Sequence, residues 1–384
     1  MNDSFLLHRY RCWIALKSVP GIGSRTFKLL IDRFGSPEKA AAAGRSALLG
    51  VKGMTRKSAD AVLATVGNGR FPEAVLREAD LVIRRGYRLI TLTDEEYPRL
   101  LAEIHDPPPF LYAFGSDTTF EPAVAVVGSR NPTQYGLSMA RRLGADLAAA
   151  GFVVVSGMAA GIDATAHRGA LSAGGKTAAV LGSGLGVIYP VKNKNLYHDI
   201  AGSGCVLSEQ RVLEPPESYH FPARNRIISG MTLGTVVVEA ARKSGSLITA
   251  YLAAEQGREV FAVPGSIDST RSIGAHGLLK QGARLVEGVD DILEEFSYVA
   301  DWAGKTRLPA SEAHPCPGGE SKAGLTPAET GVYYLLEPYP AHIDDIANRA
   351  GMDTAALLAI LLKLELAGLV VQAPGKFFMS TGDK

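Results

Sequence analysis

The stretch Phe152-Val153-Val154-Val155-Ser156-Gly157-Met158-Ala159-Ala160-Gly161-Ile162-Asp163 changes character part-way along. Phe152 to Ser156 is a short β-branched run closed by glycine, which predicts a buried strand. Gly157 to Gly161 is built of small residues and predicts a loop. Asp163 then stands where it caps a helix expected over 164–173. Strand, small-residue loop and capped helix together form one half of a βαβ unit. The same grammar recurs outward in both directions.

Strands are expected over Arg88–Leu92, Ala123–Val127, Phe152–Ser156, Thr177–Leu181, Cys205–Ser208, Thr235–Val238, Glu259–Val263 and Ala283–Val286. Helices intervene at about 135–150, 164–173, 193–201, 222–230, 246–256 and 289–296. Short buried strands alternating with helices predict an α/β fold with a parallel, doubly wound, Rossmann-like sheet over 69–298. Ligands in such sheets sit beyond the carboxyl ends of the strands.

Residues 1–68 read differently. Val19-Pro20-Gly21-Ile22-Gly23 and Leu49-Gly50-Val51-Lys52-Gly53-Met54 each separate helical stretches, which predicts a pair of helix-hairpin-helix units (a SAM-like module). The hairpins either let backbone N–H groups approach a DNA phosphate or serve only as tight connections. Residues 299–325 are rich in proline and glycine and read as a linker. Residues 326–384 predict helices at about 326–336, 342–350 and 353–367, then a ribbon turning at Pro374-Gly375, the order of a winged helix.

The net charge of +1 conceals an asymmetry. Residues 1–68 carry +7, the middle −3 and residues 326–384 −3. The basic N-terminal module favours a polyanionic partner, and the acidic C-terminal module argues against DNA there. No apolar run approaches the length of a membrane helix, and Met1 to Trp13 has no signal-peptide pattern, so the expected setting is cytoplasmic without membrane insertion. Cys12, Cys205 and Cys316 lie too far apart for a disulfide framework or a zinc motif, so no metal is expected.

Two cofactor signatures fail. Gly182-Ser183-Gly184 starts as a dinucleotide fingerprint, but its third glycine falls at 186 and position 187 is valine. Gly175-Lys176-Thr177 resembles the end of a P-loop, yet Ala170 stands where glycine is required. No cofactor is therefore expected. The loops suit a nucleic-acid strand better. Arg130, Lys192, Lys194, Arg224 and Arg226 offer successive cations, and Tyr219, His220 and Phe221 offer flat faces for bases. Each arginine is either a phosphate contact or a surface ion pair, and Phe221 either a platform or core. Their convergence on one sheet edge favours nucleic acid.

Four stretches are similar to signatures of the DprA/Smf family: Gly128-Ser129-Arg130, Ser156-Gly157-x-Ala159-x-Gly161-Ile162-Asp163, Phe221-Pro222-x-Arg224-Asn225-Arg226, and Glu239-Ala240 through Ser244-Gly245-Ser246-Leu247-Ile248-Thr249-Ala250. His276 departs from the asparagine usual there. The resemblance implies sequence-independent binding of single-stranded DNA, a homodimer formed through the Rossmann-like domain, and help for RecA in displacing single-strand-binding protein during natural transformation. It implies no catalysis; the winged helix varies within the family, and its acidity here favours a protein-binding or regulatory role. The candidate contacts are Gly128, Ser129, Arg130, Ser156, Gly157, Gly161, Gly182, Lys192, Lys194, Phe221, Arg224, Asn225 and Arg226. Two alternatives stand beside it. One is a passive DNA-coating module. The other is a phosphoribohydrolase of the lysine-decarboxylase-like type, suggested by Gly234-Thr235-x-x-x-Glu239 but opposed by Ser229-Gly230-Met231 in place of that family's proline-glycine-glycine.

Overall fold

The computed structural model describes residues 3–297, 325–336, 341–373 and 375–380. The expected linker at 299–325, Leu325 apart, and Cys316 lie outside the described residues.

The central sheet has nine strands: β1 Arg88–Thr91, β2 Phe110–Gly115, β3 Ala123–Val127, β4 Val153–Ser156, β5 Thr177–Leu181, β6 Cys205–Ser208, β7 Gly234–Val237, β8 Glu259–Ala262 and β9 Arg284–Leu285. Their order is β1-β2-β6-β5-β4-β3-β7-β8-β9. From β6 to β9 all neighbours are parallel. β3 and β5 are buried along their whole length, as strands covered on both faces must be. The all-parallel expectation needs one correction. β2 runs antiparallel to both β1 and β6, extending the sheet with an antiparallel edge. The sequence reading lacks β2. The helix Ile273–Lys280 carries a buried Leu278, and its His276 bonds the Gly265 carbonyl at 3.1 Å.

The chain lays down β3, β4, β5 and β6 in one direction, then returns to place β7 on the other side of β3. The strand order reverses between β3 and β7, with Val127 beside Val237 at their carboxyl ends. This switch point is the crevice where such sheets take ligands.

The N-terminal helices (Asp3–Lys17, Ser24–Phe34, Pro37–Ala42, Gly44–Leu49, Arg56–Val62 and Glu73–Arg84) share one continuous apolar core with a face of the sheet. Trp13 stacks on Phe27 with centroids 5.5 Å apart inside it. Both expected hairpins are present, with Gly21 and Gly53 at positive φ. Part of the module's positive charge is neutralised within the protein. Arg9 pairs with Asp94, Arg11 with Asp80 at 3.1 Å, and Lys17 with the Glu209 carboxylate at 3.9 Å. Arg25, Lys52, Arg56 and Lys57, which flank the hairpins, are exposed.

The C-terminal unit, taken by itself, packs the helices Pro327–Leu335, Ile343–Ala350 and Thr354–Leu366 against a three-stranded sheet. β10 Ala341–His342, β11 Val370–Ala373 and β12 Phe377–Ser380 pair in the order β10-β12-β11. Leu336, Leu357, Leu361, Leu364 and Phe378 fill its core, completing a winged helix. No helix among the described residues is long and apolar enough to cross a membrane.

His167 reports on the integrity of the sheet. It is fully buried on the helix Ile162–Ser172, with Nδ1 2.6 Å from the Thr177 hydroxyl. That hydroxyl donates to the Val154 carbonyl, so it must accept from His167, fixing the neutral Nδ1–H tautomer. Burial, together with Arg168 and Arg224, pushes the imidazole down to about 3 from 6.5. Between those values the unfolded chain holds a proton that the folded one rejects, so stability falls as pH drops from about 6.5 toward 3. His167→Gln should flatten this acid limb by up to about 1.4 kcal/mol per pH unit, read from urea midpoints at pH 7, 5 and 4. An unchanged slope would contradict the assignment.

Candidate nucleic-acid interface

The loops after β3, β4, β5 and β7 meet at the carboxyl edge of the sheet, and the helix His220–Gly230 supplies the side chains that knit them together. Residues 221, 224, 225 and 228 of this helix share one face by their spacing. Arg224 is only 6% exposed and reaches under the loops. Its Nη1 donates to the carbonyl of Gly157 at 2.8 Å and to that of Val180, and its Nε donates to Asn225 Oδ1 at 3.1 Å. Asn225 in turn donates to the Gly245 carbonyl at 3.3 Å. One helix thus ties together the loops after β4 and β7 and the end of β5.

Two glycines make the approach possible. A Cβ on Gly157 would lie 2.3 Å from Arg224 Nη1, and one on Gly182 would lie 2.8 Å from the Phe221 ring. The guanidinium and the aromatic ring occupy the space where those side chains would stand.

Asp163 does not cap its helix as expected. Gly161 holds the N-cap position and Asp163 sits two residues on. There its carboxylate folds back to accept the N–H groups of Gly157 at 3.2 Å and Ala159 at 3.4 Å, bracing the loop. Burial raises the carboxyl's pKa against the opposing pull of Arg224 and these bonds. Burial likewise lowers Arg224 to about 10, against the favourable field of Asp163. Met158, between the two braced amides, is fully buried at φ 54°. A left-handed methionine is strained backbone that the surrounding bonds must hold, a pattern common at functional loops.

Above this buried layer lies an exposed one. The Arg130 guanidinium lies 5.2 Å from the centre of the half-buried Phe221 ring, and Tyr189 meets that ring at 5.9 Å. Phe221 and Arg130 line two cavities. One, of about 60 Å³, lies among Gly157, Gly182, Ser183 and Tyr189. The other, of about 390 Å³, occupies the switch point and adds Gly128, Ser129, Asn225, Lys243, Ser246 and Thr249. A Cβ on Gly161 would collide with the Ser129 and Arg130 carbonyls, and the next residue, Ile162, donates its N–H to the Ser129 carbonyl at 3.2 Å. Lys192 and Lys194 are exposed on either side of Asn193, whose amide donates to the Met158 carbonyl at 2.9 Å. That bond holds the lysine-bearing segment against the crest.

Not every expected contact reaches this surface. Ser156 is fully buried and donates to the Val126 carbonyl at 2.6 Å. Arg226, two positions from Arg224 and so on another face of the helix, pairs with Glu209 at 2.5 Å and Asp106 at 3.3 Å. His220 is buried, and Tyr219, although exposed, lines neither cavity. The candidate contacts taken from the sequence lack Tyr189 and the Lys243–Thr249 wall. The second is placed by strand order, which no local pattern displays.

A family profile described as DNA recombination-mediator protein A matches residues 88–297. Profiles described as the DprA winged helix domain and as a SAM-like helix-hairpin-helix tandem match residues 317–376 and 14–66. The chain belongs to the DNA recombination-mediator protein A family. Protein Smf of Synechocystis is 34% identical over 94% of this chain and 96% of its own. The X-ray structure of DNA processing protein A from Streptococcus pneumoniae aligns with TM-score 0.62 and 35% identity, over 73% of this chain and 95% of that one. A Helicobacter pylori DNA processing protein A, whose structure is described as revealing a unique single-stranded DNA binding mode, aligns with TM-score 0.50 and 29% identity, over 55% of this chain and 96% of that one.

The two arginines of the crest differ in kind, and stability separates them. Arg224→Met should cost about 3–5 kcal/mol, because it strands Asp163 and the carbonyls that the guanidinium serves. Arg130→Ala, at an exposed position, should stay within about 0.5 kcal/mol of the parent in urea denaturation. Equal losses would refute the division into a buried brace and an exposed contact.

Proposed function

We propose that this protein binds single-stranded DNA, without regard to sequence, along the crest formed by Gly128, Ser129, Arg130, Gly157, Gly161, Gly182 and Phe221. Lys192 and Lys194 lie on the approach, and Arg224 and Asn225 hold the crest in place. The observation that carries the reading is the exposed Arg130 guanidinium over the Phe221 ring, both lining the switch-point cavity, with Tyr189 alongside the ring. A cation beside aromatic faces gives each nucleotide a partner for its phosphate and a platform for its base, and stacking tolerates any base. Arg226 has no part in this surface, because Glu209 and Asp106 hold it elsewhere.

The protein acts as a mediator rather than an enzyme in this reading. It holds the strand, helps RecA displace single-strand-binding protein and load, and pairs with a second copy through the Rossmann-like domain, in recombination and natural transformation in the cytoplasm. Family membership supports these steps. Gly234 and Thr235 are buried within β7 and Glu239 is buried just beyond it, which supports the binding reading over the phosphoribohydrolase alternative.

Anisotropy titrations of labelled oligo-dT across a salt series test the reading. Arg130→Ala should weaken binding by about 1–3 kcal/mol and lower the salt slope by about 0.7, the share of one phosphate on a single strand. Phe221→Ala should cost about 1–3 kcal/mol with the slope unchanged. Arg226→Ala should leave the slope at the parent value. A folded Arg130→Ala protein with parental affinity and slope would move the site elsewhere. RecA filament assembly on strands coated with single-strand-binding protein tests the mediator step, and acceleration by this protein is the expected result.

A further inference from the structure

Among the described residues, one group of soft and borderline metal ligands converges away from the DNA-binding crest. His8 and Cys12 are spaced four apart on the helix Asp3–Lys17, so their side chains share one face. Glu38, on the helix Pro37–Ala42, closes the group from the neighbouring element. The imidazole nitrogen, the thiol sulfur and a carboxylate oxygen all lie within 4.8 Å of one another. We propose that His8, Cys12 and Glu38 form a zinc site that staples the first helix of the N-terminal module to the third.

Distance, donor chemistry and access each support it. The His8 Nε2 to Cys12 Sγ separation is 3.6 Å. Tetrahedral zinc, with Zn–S of about 2.3 Å and Zn–N of about 2.05 Å, sets those atoms about 3.6 Å apart. The His8 and Cys12 donors therefore stand at the separation an ion between them requires, and the Glu38 carboxylate lies within 4.8 Å of both. Thiolate, imidazole and carboxylate are the zinc donor set, and the thiolate disfavours magnesium and calcium, which take oxygen. The environment is graded: Cys12 is buried, Glu38 half-buried and His8 exposed. The exposed side gives an ion a route in and leaves a fourth position for water. Phe71 meets the His8 ring edge-on at 5.8 Å and restrains its orientation. Burial and the neighbouring carboxylate hold the free thiol protonated, a state a divalent cation reverses by displacing the proton.

The test uses the full chain, stripped with a chelator and titrated with Co²⁺ as a spectroscopic probe, then with Zn²⁺. The expected result is one equivalent of Co²⁺ bound with a sulfur-to-cobalt charge-transfer band, which Zn²⁺ bleaches, and a raised thermal midpoint with Zn²⁺. Cys12→Ser should abolish the band, whereas Cys205→Ala and Cys316→Ala should keep it. His8→Ala, at an exposed position where folding is not at stake, and Glu38→Gln should each weaken Zn²⁺ binding by at least about 10-fold. Absence of the band in the parent at saturating Co²⁺ would overturn the proposal, as would its survival in Cys12→Ser or an unchanged affinity in His8→Ala. DNA affinity is read separately, since the crest does not include these residues.

Discussion

Arg224 fills the space beside Gly157 and bonds the Gly157 and Val180 carbonyls and the side chain of Asn225, with the buried Asp163 carboxylate nearby. Its removal would leave buried acceptors and a buried acid without their counterpart, and the loops they belong to would lose their common anchor. Everything placed on top inherits that constraint. Phe221 is one turn before Arg224 on the same helix face, so fixing the guanidinium also fixes the ring. Arg130 follows Ser129, whose carbonyl is held by the Ile162 N–H. Met158 stays in its strained conformation because its neighbours' amides are bound by Asp163 and its carbonyl by Asn193.

The charges of the crest therefore work in two layers. The lower layer is desolvated and mutually satisfied, which gives rigidity but leaves little to offer a ligand. The upper layer, Arg130, Lys243, Lys192 and Lys194, is exposed and meets solvent or a polyanion. A single strand laid across such a surface meets cations and aromatic faces on a support that does not have to be assembled on binding. Preorganisation of this kind lowers the ordering cost of association.

Much of this was legible in the chain. The β-branched runs at 123–127, 153–156 and 177–181 and the small-residue loops behind them identify the α/β core, because a strand buried on both faces needs an unbroken apolar run. β2 was harder to see, since its role as an antiparallel extension depends on pairing with β6, far along the chain. Gly157 and Gly182 were readable as loop glycines, but not as the seats of Arg224 and Phe221. The opposed fates of Arg224 and Arg226 follow from helix phase, which Phe221-Pro222-Ala223-Arg224-Asn225-Arg226 encodes only once its helix is positioned. The Lys243–Thr249 wall and the convergence of Glu38 on His8 and Cys12 are tertiary facts, set by strand order and helix packing.

A single strand bound as proposed runs over the Arg130–Phe221–Tyr189 crest. The most direct measurement is photocrosslinking of an oligo-dT strand carrying 4-thiothymidine to the intact protein, with the adducts located by peptide mass spectrometry. Adducts are expected on the peptides holding Tyr189 and Phe221, suppressed by unlabelled single strand and little affected by duplex. Adducts confined to the N-terminal hairpins or to the winged helix would contradict it.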